Sequence, residues 1–137
     1  MQASKRTSLQ IDSRPECVTL VATWIRDLCA EIGIDQTQAL QIQTAVVEAV
    51  NNSILHAYGG QPGYRVTVDW TWQDQQVSIE VTDQGVGMQA LPPDIEPHPE
   101  AESGRGWWIM RRWMDRVDYS CSNGFNRLVM TRRLVPL

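Results

Sequence analysis

Two consecutive segments in the middle of the chain alternate strictly between apolar and polar residues. A period of two is typical of strands that bury one face and expose the other. Asp74 and Gln75 separate the two segments and predict a hairpin turn. The sequence therefore predicts a sheet with one apolar face that other elements must cover. The apolar positions are Val66, Val68, Trp70 and Trp72 in the first segment, and Val77, Ile79 and Val81 in the second.

Two amphipathic helices are predicted before these strands. Apolar residues recur at helical spacing over residues 16–32, and Pro15 is well placed to begin this helix. Asp35 is suited to cap a second helix that runs to about His56. We expect the apolar residues of the second helix to lie inside the protein. They are Leu40, Ala45, Val46, Ala49, Val50 and Ile54.

Further elements at both ends complete the predicted order β-α-α-β-β-loop-α-β-β. A short strand is predicted at 9–12, a short helix at 107–114, and a final pair of strands at 117–122 and 128–134 around a turn at 123–124. Grouped strands with grouped helices indicate an α/β (α+β) two-layer sandwich. We expect a mixed, mainly antiparallel sheet with the helices on one face.

Composition limits the class of protein. A chain of 137 residues suits one domain spanning 1–137, and its 42% apolar and 20% charged residues argue against disorder. The net charge of −4 argues against direct binding of nucleic acid, because neutralising phosphates requires an excess of basic residues. No apolar run approaches the length that spans a bilayer, so no membrane contact and a cytoplasmic location are expected.

The cysteines are too few and too scattered for a disulfide framework or a zinc site. Cys17, Cys29 and Cys121 are the three cysteines of the chain. Free thiols in such proteins are usually buried. We therefore expect all three to be buried and unpaired.

A first motif lies on the second predicted helix. Glu48, Asn52 and His56 are spaced i, i+4 and i+8, so they share one face of the helix. A carboxylate beside an amide oxygen can hold hydrated Mg²⁺ and can accept a proton. The alternative interpretation is a polar stripe that faces solvent.

A second motif follows the second strand of the hairpin. Asp83 at a strand end can accept a hydrogen bond from an amino group such as that of adenine. Gly85 and Gly87 allow the backbone to turn where a side chain would block a ligand. The alternative is an ordinary strand followed by a glycine turn.

A third motif comes just before the last predicted helix. Gly104 and Gly106 leave N–H groups free to point at an anion, and Arg105 adds positive charge. A common helix-start loop is the alternative. The proline-rich, acidic stretch between the two glycine motifs is long for a compact domain, which indicates either a functional loop or disorder.

In this order and spacing, the three motifs resemble the asparagine box and the two glycine boxes of the GHKL ATP-binding superfamily. That superfamily includes gyrase, a heat-shock chaperone, histidine kinases and MutL. The chain is most similar to anti-sigma-factor serine kinases of the RsbW/SpoIIAB type. The runs EAVNNSILHAY and GRGWWIMRRWMDRV carry this similarity, which extends over nearly the whole chain. The resemblance implies a GHKL (Bergerat) ATP-binding fold, with ATP or ADP and Mg²⁺ as cofactors.

The resemblance also implies roles for individual residues. Glu48 matches the catalytic base that deprotonates the substrate serine, Asn52 matches the asparagine that ligates Mg²⁺, and Asp83 matches the aspartate that reads adenine. Residues 89–103 match the ATP lid. The other implied nucleotide contacts are Gly85, Gly87, Met88, Gly104, Arg105 and Gly106.

The sequence departs from the pattern of the family around the third motif and at the start of the last strand. Ser103 stands where an arginine is common, and Arg105 lies between the two glycines instead. The last strand begins with Gly124, Phe125 and Asn126 rather than the usual Gly-Thr, a change on the adenine side of the site.

Three functions fit these observations. The first is a serine kinase that acts on a STAS-domain anti-anti-sigma protein, with a sigma factor and a second copy of the chain as further candidate partners. The second is a nucleotide-dependent binding module that sequesters a partner without efficient phosphotransfer. The third is the catalytic domain of a histidine kinase. Glu48 favours the kinase, since binding alone needs no base, and the displaced Arg105 favours the module.

Overall fold

A computed structural model describes residues 5–101 and 104–134 of the protein. Its core is one five-stranded sheet in the order β1-β2-β3-β5-β4, and every pairing is antiparallel. The predicted two-layer sandwich is confirmed, and the sheet that was expected to be mainly antiparallel is entirely so within the described residues. The strands are β1 (Lys5–Asp12), β2 (Arg65–Gln73), β3 (Gln76–Asp83), β4 (Arg116–Ser122) and β5 (Phe125–Arg133).

In the described part of the chain, three α-helices accompany the sheet. They are α1 (Val18–Glu31), which a 3-10 turn at Pro15–Cys17 precedes, α2 (Gln36–Asn52) and α3 (Arg105–Trp113). Asp35 caps α2 as predicted, because its Oδ1 accepts a hydrogen bond of 2.9 Å from the Gln38 N–H. The second helix does not continue as α-helix to His56. It ends at Asn52 and passes into a π-helical turn, Ser53–Ala57.

The helices cover the apolar face of the sheet. Trp70, Ile79 and Met130 from the sheet are fully buried, as are Ile25 from α1 and Val46 from α2. The predicted burial of Leu40 is wrong, since this side chain is 62% exposed. Helical periodicity placed it near the buried stripe, but it lies on the outer side of α2, which no described element covers.

Both hairpin turns lie where the sequence predicts them. Asp74 and Gln75 have φ of 54° and 62°, and Asn123 and Gly124 have φ of 54° and 81°. Two successive positive φ values identify type I′ turns, whose twist suits an antiparallel pair. The turns fix the registers of β2 with β3 and of β4 with β5.

The cysteines differ in burial. Cys29 is buried and Cys17 is half-buried, whereas Cys121 is exposed, so the expectation that all three are buried is wrong. Cys121 lies near the end of β4, an edge strand that pairs with β5 alone among the described strands. Within 5–101 and 104–134, no helix is long and apolar enough to cross a membrane.

Candidate functional site

The C-terminal half of α2 and the N-terminus of α3 enclose a cleft of about 230 Å³. One wall carries polar side chains of α2, and the other is the glycine-rich start of α3. The first and third sequence motifs, which are far apart along the chain, therefore face one another. The residues of the two walls include Glu48, Asn51, Asn52, Gly104, Arg105 and Gly106.

Glu48 is the acidic group of this cleft. Its Oε2 lies so close to Gly106 that a Cβ added at Gly106 would be only 2.7 Å away. Burial raises the pKa of the Glu48 carboxyl above its ordinary value, because the surrounding protein disfavours the charged form. A carboxylate with a raised pKa is a better proton acceptor than one in water, which suits a general base.

Asn52 lies one helical turn after Glu48 and connects the cleft to the second motif. Its Nδ2 lies 3.8 Å from Met88 Sδ and donates a weak hydrogen bond to that sulfur. With the amide nitrogen turned toward the sulfur, Oδ1 is the atom of this amide with the chemistry to coordinate a cation. Mg²⁺ prefers a few protein oxygens together with substrate phosphates, so the oxygens of Asn52 and Glu48 fit this ion. The described residues contain no cluster of three or more His, Cys, Asp or Glu side chains that could hold a metal.

Asp83 is buried at the end of β3, with 6% of its surface exposed. Its Oδ2 accepts a hydrogen bond of 2.7 Å from Ser53 Oγ. Its Oδ1 accepts one of 2.7 Å from Asn126 Nδ2 and one of 3.0 Å from the Gly85 N–H. These donors offset the cost of removing a carboxylate from water. Asn52 and Ser53 are consecutive residues. The side chain of Asn52 lines the cleft, and that of Ser53 donates to Asp83.

Gly85 packs directly on the π-helical turn. A Cβ at this position would lie 2.3 Å from Ala57 O, a distance that no side chain can occupy. The Val86 N–H donates a hydrogen bond of 2.8 Å to the same oxygen. The carbonyl of Ala57, at the end of the π-helical turn, thus holds the second motif in place.

Gly87 is needed for a similar reason on the other side of the segment. A Cβ here would lie 2.7 Å from Cys121 Sγ and 2.9 Å from Asn126 Oδ1. Neither Gly85 nor Gly87 has a positive φ, so close packing against the protein, rather than an unusual backbone turn, requires these two glycines.

Met88 extends the same segment toward the sheet. Its N–H donates a hydrogen bond of 2.9 Å to Tyr119 Oη. Burial raises the pKa of Tyr119 to about 12, because the surrounding protein disfavours the charged form.

The start of α3 has the features of an anion site. Gly104 has φ of 89° and lies at the N-cap position, and no described side chain caps the first N–H groups of the helix. Arg105 lines the cleft, but its guanidinium donates hydrogen bonds to Pro99 O at 3.1 Å and His98 O at 3.5 Å. It therefore holds the end of the predicted lid segment in this structure.

The family model described as "Histidine kinase-like ATPase domain" matches residues 11–132 of the chain. The chain belongs to this family. It is 36% identical over 100 residues to an anti-sigma F factor of Oceanobacillus iheyensis, which covers 69% of this chain and 68% of that protein. It is 33% identical over 130 residues to an anti-sigma F factor of Pasteuria penetrans, which covers 90% and 87% respectively.

A solved structure agrees with the fold of this histidine kinase-like ATPase domain. It contains the RsbU and RsbW domains of a Mycobacterium tuberculosis protein and matches with a TM-score of 0.68 at 21% identity. The match covers 93% of this chain but only 32% of the solved chain, so the protein spans about a third of that neighbour. The predicted resemblance to the RsbW/SpoIIAB type, and the GHKL fold with it, are confirmed.

The ATPase domain brings the predicted site residues into two adjoining groups. Glu48 and Asn52 meet the start of α3 in the cleft, and Asp83 with its glycines lies behind the π-helical turn. His56 lines the cleft from an exposed position. Ser103, the position of the missing arginine, lies outside the described residues.

The motifs did not identify two partners of Asp83 as site residues. Ser53 is adjacent to the asparagine box, and Asn126 pairs with Asp83 in the register of β3 with β5. A signal for Asn126 is present in the sequence. It shares its side of β5 with the buried Leu128 and Met130, and a polar residue at a core position needs a buried partner.

Proposed function

We propose that this ATPase domain binds ATP and ADP with Mg²⁺ in the cleft between α2 and α3. The adenine amino group would meet Asp83, and the phosphates would lie between Asn52 and the N-terminus of α3. The observation that carries this proposal is the convergence of Glu48 and Asn52 with Gly104 and Gly106 on one cleft, next to a buried carboxylate. Bound Mg²⁺ would neutralise phosphate charge, with Asn52 Oδ1 as its protein ligand.

We further propose that the domain is a protein-serine kinase. The hydroxyl proton of the substrate serine would pass to the Glu48 carboxylate as the hydroxyl oxygen bonds to the γ-phosphorus. The bond from that phosphorus to the β–γ bridging oxygen would break, and ADP would leave with the electron pair. The raised pKa of Glu48 supports its role as the base.

The proposed partners follow from the relatives, which are named anti-sigma F factors. We propose that the chain is an anti-sigma regulatory factor that binds a sigma factor and phosphorylates a STAS-domain anti-anti-sigma protein. A homodimer in the cytoplasm is part of this proposal, and neither nucleic acid nor a membrane is a direct partner.

A binding module without efficient transfer is the second candidate. It is favoured by Arg105, whose guanidinium donates to carbonyl oxygens of the lid segment. In that case the nucleotide would set the conformation of the lid and so regulate sequestration of a partner.

A phosphotransfer assay separates the two candidates. The protein is incubated with Mg-ATP and STAS-domain proteins from its own genome, in parallel with Glu48→Gln and the exposed control Glu16→Gln. We expect Glu48→Gln to bind nucleotide normally and to transfer phosphate about 10²–10⁴-fold more slowly, because a positioned base contributes that much. The control should match wild type.

Each outcome has one meaning. Transfer by Glu48→Gln at the wild-type rate would rule out Glu48 as the base. Tight nucleotide binding by wild type, with no transfer to any candidate partner, would favour the binding module.

A further inference from the structure

Asn126 is a buried amide at the base-reading end of the proposed site. It lies opposite Asp83 in the antiparallel register of β3 with β5, and only 5% of its surface is exposed. Leu128 and Met130 follow it on the same face of β5, so a polar group at this position is unusual. A buried amide among core residues is retained only when its hydrogen bonds are made.

The orientation of this amide is fixed by two acceptors. Nδ2 donates a hydrogen bond of 2.7 Å to Asp83 Oδ1 and one of 2.9 Å to Gly85 O. A flipped amide would set its oxygen against a carboxylate and a carbonyl, so only this orientation is favourable. Oδ1 is consequently turned toward Gly87, 2.9 Å from where a Cβ of that glycine would lie.

Among the described residues, the side-chain donors that contact Asp83 are all used. Ser53 gives its hydroxyl hydrogen to Asp83, and Asn126 gives one amide hydrogen to Asp83 and the other to Gly85 O. The Gly85 N–H is also donated to Asp83. A carboxylate offers about four acceptor positions, so one remains on Asp83. The described residues give no donor to Asn126 Oδ1, which remains a second acceptor.

We propose that Asn126 is a specificity-determining residue that makes the site select a 6-aminopurine over a 6-oxopurine. This inference rests on the proposed function and deepens it. Asn126 donates both of its amide hydrogens within the protein. This edge of the site therefore presents hydrogen-bond acceptors to a bound base. An amino group supplies hydrogens to that surface, whereas an oxo group would bring an oxygen against a carboxylate.

Removing the amide would weaken this selection. Asn126→Ala leaves a polar space beside Asp83 that suits a water molecule, and a water can either donate or accept. Such a water could bridge Asp83 to an amino group or to an oxo group. Asn126→Asp acts more strongly, because two carboxyls in contact favour protonation of one of them, and its O–H can turn to donate to an oxo group.

The test is calorimetric titration with ADP and with inosine diphosphate, both with Mg²⁺. The proteins are wild type, Asn126→Ala, Asn126→Asp and the control Gln73→Ala, an exposed amide at the end of β2. We expect the ratio of affinities for ADP over inosine diphosphate to fall by about tenfold or more in Asn126→Ala. It should fall further in Asn126→Asp and stay unchanged in the control. Thermal denaturation shows which variants are folded.

A purely structural role for Asn126 would weaken both nucleotides equally and leave the ratio unchanged, which would overturn the inference. Equal binding of the two nucleotides by wild type would overturn it as well, while the proposed nucleotide site would stand. Wild type that binds neither nucleotide would overturn the proposed function itself.

Discussion

Gly85→Ala places a methyl group against backbone that cannot move aside cheaply. The Cβ would lie 2.3 Å from Ala57 O and 2.5 Å from Ala57 C, well inside van der Waals contact. The carbonyl belongs to the π-helical turn and accepts the Val86 N–H at 2.8 Å. Either the turn or the Gly85 segment must therefore shift, and the hydrogen bond between them would be lost or lengthened.

The expected loss of stability has two causes, the crowding of the new methyl group and the loss of the hydrogen bond. Forcing a methyl group into a packed contact costs about 1–3 kcal/mol, and the lost hydrogen bond adds about 1 kcal/mol. We expect Gly85→Ala to lower the free energy of unfolding by about 2–4 kcal/mol. Domains of this kind have about 5–15 kcal/mol in total, so the variant should still fold.

Urea denaturation at 25 °C measures this loss, and Gly106→Ala is the matched control. The three nearest atoms to its Cβ would all belong to the Glu48 side chain, and the one close contact, Oε2 at 2.7 Å, is the movable end of that side chain. Alanine also favours the helix over glycine by up to about 1 kcal/mol, so its free energy of unfolding should stay within about 1 kcal/mol of wild type. Equal stability of Gly85→Ala and Gly106→Ala would refute the close contact of Gly85 with Ala57.

Three further predictions concern charge, thiols and the lid. Burial raises the pKa of Glu48 above 4.5, so wild type carries the cost of a half-buried charge at neutral pH. In urea denaturation, Glu48→Gln should have a higher free energy of unfolding than wild type at neutral pH. This difference should vanish as the pH falls below about 4.5. A difference that stays constant with pH would contradict the prediction. Cys121 is exposed, whereas Cys29 is buried and burial raises its pKa to about 12. Alkylation followed by mass spectrometry should label Cys121 in the native protein and Cys29 only after unfolding, and early labelling of Cys29 would contradict its burial. Amide exchange over residues 89–101 should be fast without nucleotide, because this segment contains no described helix or strand; strong protection would contradict a mobile lid.

Local signals were sufficient for most of the fold. The alternation of apolar and polar residues predicts β2 and β3, and Asp74-Gln75 predicts the turn between them. Asp35 predicts the start of α2 because its cap depends on a residue only three positions away. Each of these features depends on neighbours in sequence, which a pattern can report.

Features that depend on residues distant in sequence were not predicted. Leu40 has helical spacing, yet its exposure depends on what packs around α2. The π-helical turn packs against the Gly85 segment, which is distant in sequence, and the pairing of Asn126 with Asp83 depends on the register of β3 with β5. The motifs therefore named the candidate residues, whereas the hydrogen bonds that connect them required the structure.

Calorimetric titration of ADP into the wild-type protein, with Mg²⁺ and after its chelation, tests the proposed nucleotide site most directly. We predict saturable binding of one ADP per chain that weakens when Mg²⁺ is removed. Asp83→Asn should lose about 1.5–3 kcal/mol of binding free energy, because it removes a charged acceptor for the adenine amino group. Absence of saturable ADP binding to the folded wild-type protein in the presence of Mg²⁺ would contradict the account.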